Sequence, residues 1–266
     1  MYKIKILNKH PMASTKKFKW LKRIGIFLGI LIAAMLVLYW VKNEPLPKGQ
    51  TGPEADQLAQ KVWTAINKTA WDSTGAISWG FAGRHGFVWD KKRHFTKVVW
   101  EDYVVLINLH QVTGVAYKAG EAIADKSEND KLVQEAWGYW ANDSFWLNAP
   151  AKVFDNGTSR SIVQLEDGSD GLMITYASGG VTPGDSYLWI LDENGLPKSY
   201  KMWVKIIPLG GVSATWEDWK TLSTGAKIAG SHKLGPLTIE VTDVKGSTTL
   251  AELTKEEGDI FSVLEK

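Results

Sequence analysis

The sequence contains no cysteine. This absence excludes disulfide bonds, thiolate metal sites and cysteine nucleophiles, and it also excludes membrane attachment through a lipidated cysteine. The fold must therefore be stabilised by packing alone.

A strong excess of one charge is also lacking. The 31 basic residues nearly balance the 29 acidic ones, and much of the small basic excess lies within residues 1–23. A nearly neutral body does not attract polyanions, so we expect no nucleic-acid partner.

Motifs for nucleophilic attack or phosphate binding are missing. The Ser/Gly/Pro-rich stretch at residues 178–186 has neither the G-K-[ST] ending of a phosphate loop nor a following helix, and the chain has no G-x-S-x-G elbow. We interpret this stretch as a loop at the rim of a sheet. A hydrolase is the third hypothesis for function, with Ser178 or Ser186 as nucleophile, His85 or His232 as base and Asp185 as orienting group.

A metal site has only one candidate group, formed by His85, Asp90 and His94 in the segment HGFVWDKKRHF. A hairpin there could bring the two histidines together across neighbouring strands. A stable site needs a third or fourth ligand in good geometry, and no cysteine can supply it. We therefore expect no metal, no cofactor and no enzymatic activity.

One long apolar run is present, from Ile24 to Val41. It predicts a transmembrane helix over 24–41, the alternative being a cleaved signal peptide. Basic residues crowd its N-terminal side, so the positive-inside rule predicts a single-pass cell-membrane protein with residues 1–23 in the cytoplasm. The rest of the chain is then extracytoplasmic, and periplasmic in a bacterium with two membranes.

The remaining sequence predicts a linker over 42–52 and then a body that is mainly β with helices, an α+β fold. An amphipathic helix begins at Pro53, a succession of short strands begins at Ala76, and a second helix interrupts the strands within residues 129–141. The body is predicted to extend over 53–247, followed by a charged helical tail over 248–266.

Two strands late in the chain differ in how their faces are covered. In SYKMWVKI, the residues Tyr200, Met202, Val204 and Ile206 form one apolar face opposite a polar one. In SYLWIL, residues 186–191, both faces are apolar. Protein or a hydrophobic ligand must cover the second face of that strand.

Tryptophan is abundant, with 14 residues in the chain, most of them in the body. Large aromatic side chains fill protein cores. They also form the walls of cavities for acyl chains and other apolar molecules. The composition fits both interpretations.

The order of elements resembles the LolA/LppX superfamily of extracytoplasmic lipoprotein and lipid carriers. The resemblance covers an amphipathic helix, a strand meander, a central helix and the strand pair YLWILDENGLPKSYKMWV. It implies a curved antiparallel sheet that forms an incomplete barrel, covered by helices over an apolar cavity. This chain departs from the pattern because it lacks a lipidated cysteine and is predicted to be tethered by a helix.

These observations predict a membrane-anchored binding protein for a hydrophobic ligand, either a lipid or a lipidated protein, that acts in envelope lipid or lipoprotein handling. The alternative is a structural or protein-interaction module of the envelope, without a ligand cavity and with a protein partner. Five residues are predicted to line the cavity or its cover: Trp63, Trp89, Trp100, Trp189 and Met202.

Overall fold

The computed structural model describes residues 15–178, 183–255 and 258–265, and the chain divides into two compact units, residues 1–44 and 45–266. The first unit contains helix α1, Thr15–Lys42, which extends beyond the predicted 24–41. Its segment Trp20–Lys42 is long and apolar enough to span a membrane or to act as a signal sequence. Residues 1–14 of the predicted cytoplasmic segment lie outside the described residues.

The second unit combines short helices with many strands. Its helices are α2 Pro53–Ala65, α3 Lys68–Ser73, α4 Lys126–Asn148 and α5 Leu250–Thr254, with 3-10 turns at Ala149–Lys152 and Ser262–Glu265. Its first six strands are β1 Ala76–Phe81, β2 His85–Asp90, β3 Phe95–Trp100, β4 Tyr103–Asn108, β5 Thr113–Lys118 and β6 Glu121–Ala122. The others are β7 Thr158–Gln164, β8 Asp170–Tyr176, β9 Asp185–Leu191, β10 Pro197–Trp203, β11 Val212–Thr215, β12 Glu217–Thr221, β13 Lys227–Leu234 and β14 Leu237–Ser247.

All of these strands join one antiparallel sheet of 14 strands. Its order is β6-β5-β4-β3-β2-β1-β14-β13-β11-β10-β9-β8-β7, with β12 paired to β13 beside this path. The sheet is curved and ends at β6 and β7 without closing. The predicted fold class, a curved antiparallel sheet forming an incomplete barrel with covering helices, is confirmed.

The two edges of the sheet are held by neighbouring segments. Gln50 forms an isolated bridge with Ile162 on β7, in which each backbone N–H donates to the other residue's carbonyl at 2.8 Å. At the other edge, Asn129 at the start of α4 accepts from Ala116 N at 2.8 Å and donates to Gly114 O at 3.1 Å. These contacts satisfy backbone groups that an open edge would expose.

The inner face of the sheet carries two large apolar clusters. The first involves β1–β5, α3 and α4, and the second involves β8–β11 and α2. Trp63, Trp146 and Trp219 pack against both clusters. We call these two clusters, together with the helices packed on them, the aromatic interior.

The outer face of the first half of the sheet is covered by the C-terminal segment. Phe261 is fully buried, and its ring lies 5.9 Å from that of Phe95. Arg93 donates to both carboxylate oxygens of Asp259, at 2.7 and 2.8 Å, and to Glu265 at 2.7 Å. The charged tail therefore contributes core packing. The sequence did not indicate this packing, because a single buried aromatic residue does not produce a periodic apolar pattern.

Strands β9 and β10 correspond to the segments SYLWIL and SYKMWVKI, and they differ in the structure as well. Trp189 of β9 is buried on the inner face, while Leu188 packs on the outer face with Val163 and Met173, so protein covers both sides. The prediction that Ile206 continues the apolar face of β10 was wrong. That strand ends at Trp203, and Ile206 lies 69% exposed in the following turn, because only the backbone up to Trp203 pairs with β9.

Candidate functional site: the aromatic interior

Helix α4 covers the inner face of the sheet. Asp125 caps its N-terminus by accepting from Glu128 N at 2.8 Å. Its inner stripe buries Leu132, Val133 and Ala136 in the first cluster. These residues have the i, i+1, i+4 spacing of one helix face, so the sequence alone orients this face towards the sheet.

A partly buried polar pair holds the second half of α4 against β2. His85 Nδ1 and Asp143 Oδ2 are 2.6 Å apart, and the Asp143 side chain is only 3% exposed. Tyr139, one turn earlier on the helix, stacks on the His85 ring at 4.1 Å. Burial raises the pKa of Asp143 above its usual 3.8, because a carboxylate is poorly solvated there.

The end of α4 contacts β13 through rings. The fully buried His232 lies between Trp146, at 5.2 Å, and Trp216, at 4.7 Å. Its Nδ1 is 2.9 Å from Thr215 O. Burial lowers the pKa of His232 to about 4, so the ring is neutral at pH 7.

The five residues predicted to line the cavity all lie in or against the aromatic interior. Trp89 and Trp100 belong to the first cluster, and Trp189 and Met202 to the second. Trp63 of α2 packs against both clusters, with its ring 4.5 Å from Phe154. The structure brings the five into one aromatic interior but divides them between its two halves, and their role in binding a ligand stays a prediction.

Buried donors without acceptors are the unusual chemical feature of this interior. Among the described residues, several indole Nε1–H groups and one phenol are buried without a hydrogen-bond partner: Trp63, Trp79, Trp89, Trp140, Trp189, Trp216 and Tyr176. Two further atoms, Asn148 Oδ1 and His232 Nε2, are in the same condition. Most buried polar groups in proteins are paired, and each unpaired one costs about 1–3 kcal/mol. The interior thus offers a surplus of hydrogen-bond donors in an apolar setting.

The residues considered for a metal site do not converge. The ring of His94 lies 4.7 Å from that of His110, whereas His85 pairs with Asp143. Asp90 accepts from Arg93 Nε at 2.8 Å. Within the described parts of the chain, no group of three or more histidine or acidic side chains could hold a metal ion.

The residues considered for hydrolysis also have separate partners. Ser186 Oγ is 2.8 Å from Thr175 Oγ1, and Asp185 accepts from Lys205 N at 3.0 Å. Ser178 Oγ donates to Asn156 O at 3.4 Å, at the edge of hydrogen-bond range. Residues 179–182 of the predicted rim loop lie outside the described residues.

Sequence reasoning missed the Asp143 pair and the unpartnered donors at Trp140 and Tyr176. Asp143 could have been found, because it follows Trp140 by three residues and Ala136 by seven, which places a carboxylate on the apolar stripe of α4. The unpartnered donors gave no signal, since the hydrogen-bond state of an indole depends on the packed structure.

No protein-family model matches the chain, and no curated protein matches it. One similar solved structure is the crystal structure of a DUF1329 family protein from Desulfovibrio piger, at 12% identity and a TM-score of 0.35. The alignment covers 71% of this chain and 93% of that chain. A likeness at this level does not bear on what the aromatic interior binds, and membership of the LolA/LppX superfamily stays a prediction.

Proposed function

We propose that this chain is a membrane-anchored protein of the cell envelope whose body binds a hydrophobic ligand, a lipid or a lipidated protein, in the aromatic interior. The observation that carries the proposal is the set of buried N–H and O–H donors that have no acceptor among the described residues. An apolar interior that leaves so many donors unpaired is unfavourable by itself, and a ligand that supplied acceptors would relieve this cost.

The donor set indicates what chemistry the ligand has. Indole Nε1–H groups donate and do not accept, so they suit carbonyl and ester oxygens. The surrounding side chains are aromatic and aliphatic, as in sites that bury most of an apolar ligand. An acyl chain joined through an ester or amide carbonyl combines both requirements.

Helix α4 is the element that must move for a ligand to enter. It joins β5 through the side chain of Asn129 and β2 through the pair of His85 and Asp143. Its inner apolar stripe is buried against the sheet as well. Entry of a ligand must therefore separate this apolar contact in addition to the polar ones.

The same proposal includes topology and partners. The apolar segment Trp20–Lys42 stays uncleaved as a single-pass anchor, with the N-terminus in the cytoplasm and the body outside it, in the periplasm where a second membrane exists. The body acts in lipid or lipoprotein handling without a cofactor and without catalysis. Its partners are the membrane, the ligand and an envelope protein that delivers or receives the ligand.

Native mass spectrometry of the full chain in a mild nonionic detergent tests the proposal. We expect a lipid-sized adduct that survives removal of the detergent. The double variant Trp140→Phe with Trp189→Phe keeps two large apolar side chains but removes two donors, so it should weaken binding of the adduct roughly tenfold or more.

Trp40→Phe is the matched control, because Trp40 lies 83% exposed at the end of α1. This variant should retain the adduct. An adduct that is equally retained in the native chain, the double variant and Trp40→Phe would be lipid bound around α1. This result would contradict the proposal. A folded chain without any adduct would favour the envelope interaction module instead.

A further inference from the structure

Highly exposed aliphatic side chains are rare on the body, and two of them lie at one end of neighbouring central strands. Among the described residues, the large apolar side chains that are highly exposed belong to α1, to Leu46 in the linker, and otherwise only to Ile206 and Leu237. Ile206 is 69% exposed and Leu237 is 61% exposed. Both lie at the tips of hairpins.

Strand pairing places these two tips side by side. Met202 on β10 pairs with Val212 on β11, so the turn that carries Ile206 lies at this end of the two strands. Ala214 on β11 pairs with Leu234 on β13, and Leu234 pairs with Leu237 across the next turn. Neighbouring strands are about 4.8 Å apart, so the two turns lie within roughly 10–15 Å of each other at the same end of these strands.

Both turns are held in fixed conformations. Gly211 N donates to Met202 O at 3.0 Å and closes the first turn. In the second turn, Gly235 has a φ of 57°, which a two-residue hairpin loop requires and which glycine adopts without strain. Most such turns carry polar residues, whereas these read KIIPLG and LGPL. The aliphatic side chains are therefore presented on turns whose ends are closed by backbone pairing.

We infer that the surface formed by these two turns, which we call the paired tips, docks on a phospholipid bilayer. Protein interfaces bury about 800 Å² per partner and rely on aromatic and arginine anchors, which the two tips lack. Burial of one aliphatic side chain favours docking by about tenfold or somewhat more, so two give about a hundredfold. A hundredfold preference is too weak to hold a free protein on a bilayer, but it is sufficient for a body that its own chain tethers to a membrane.

Charge around the tips fits the same partner. Lys205 is exposed next to Ile206. Lys233 beside the second turn is paired with Glu217 at 2.9 Å and adds no net charge, so the positive charge comes from Lys205. A cationic side chain beside an inserted aliphatic one suits the anionic headgroups of a bilayer. This inference goes beyond ligand binding and does not require it.

Site-directed fluorescence tests the inference, because the chain has no cysteine of its own. The full chain carrying Leu237→Cys is labelled with an environment-sensitive fluorophore and reconstituted in vesicles of phosphatidylcholine and phosphatidylglycerol that contain a doxyl-lipid quencher. The control is Glu193→Cys, in the exposed turn at the opposite end of β9 and β10. We expect the lipid to quench the probe at 237 but not the probe at 193.

A second substitution tests whether the two tips act together. Ile206→Ser in the chain labelled at 237 should lower the ratio of docked to undocked body about tenfold, whereas Leu46→Ser, at another exposed aliphatic side chain, should leave it unchanged. The reciprocal pair, a probe at Ile206→Cys with Leu237→Ser, guards against a single misfolded variant. Equal, weak quenching at 206, 237 and 193 would overturn the inference. The probe at 206 or 237 could instead become shielded as the protein-to-lipid ratio rises, without quenching by the doxyl lipid. That result would overturn the inference too, because it would assign the paired tips to contact with a second copy of the chain.

Discussion

His85 and Asp143 are joined by a 2.6 Å hydrogen bond across 58 residues of sequence. One lies on a strand of the sheet and the other on the helix that covers it, and the carboxylate is almost completely buried. Since burial raises the pKa of Asp143, an unpaired charge at this position is unfavourable. The pair therefore ties the position of α4 to the ionisation of one buried carboxyl group.

Replacement of His85 by phenylalanine should destabilise the chain at pH 7. It leaves the Asp143 carboxylate with Asn142 as its remaining side-chain donor, so we expect the free energy of unfolding to fall by about 3 kcal/mol. Chemical denaturation of the full chain in mild detergent measures this. The double variant His85→Phe with Asp143→Leu should recover most of the loss, and an undiminished loss in the double variant would argue against a buried charge as the cause.

His232 should make stability depend on pH in a defined window. Burial lowers its pKa to about 4 from 6.5, so between these values the unfolded chain binds more protons than the folded chain. Stability that is fully present above pH 6.5 is then lost as the pH falls towards 4, by about 3 kcal/mol in total. The unfolding free energy, measured by chemical denaturation at several pH values in this window, should change less with pH in His232→Phe. Burial and the neighbouring His110 lower the pKa of His94 as well, so a smaller slope should remain in His232→Phe.

Phe261 should be a large contributor to stability although it lies close to the C-terminus. Its side chain is fully buried on the outer face of the sheet, so Phe261→Ala should cost about 3–5 kcal/mol. Hydrogen exchange of β3 and β4 should also become faster. Leu237→Ala, at an exposed site, serves as the control and should change the unfolding free energy by less than about 0.5 kcal/mol. A negligible cost for Phe261→Ala would mean that the C-terminal segment is only loosely attached.

Tyr176 offers a way to separate ligand binding from packing. Its hydroxyl is buried without a partner among the described residues. Tyr176→Phe should therefore leave the stability of the ligand-free chain unchanged or raise it by about 1 kcal/mol, because it removes an unsatisfied polar group. The same change should lower the retention of lipid in native mass spectrometry. Tyr139→Phe, which loses a 2.7 Å bond to Glu135, is the control and should not affect retention. Destabilisation by Tyr176→Phe without any effect on lipid would contradict the proposed role.

Local patterns in the sequence predicted most of the sheet. Alternating residues and turn signals located β1 and β2 with the observed bounds, and Pro53 marked the start of α2. The curvature and openness of the sheet came from the family resemblance. The pairing of β14 with β1 could not be read from local pattern, because it joins residues that are far apart in the chain.

The candidate site was predictable in its residue types but not in its polar chemistry. Apolar periodicity placed Trp89 and Trp189 inside, since buried strands select large side chains. The extension of α4 to Asn148, and with it the contact of Asp143 with His85, was missed because the polar residues Asn142, Asp143 and Ser144 interrupt the apolar stripe. The exposure of Ile206 was missed for a related reason. Alternation continued in the sequence beyond the point where backbone pairing stopped.

Photo-crosslinking in proteoliposomes tests most directly whether a lipid enters the aromatic interior. The full chain is reconstituted with a phospholipid that carries a diazirine on its acyl chain, irradiated, digested and mapped by mass spectrometry. We expect labelling of interior residues such as Trp140, Trp189 and Met202 in addition to α1. Labelling confined to the segment Trp20–Lys42 and to the exposed Ile206 and Leu237, in a chain that is folded, would contradict it.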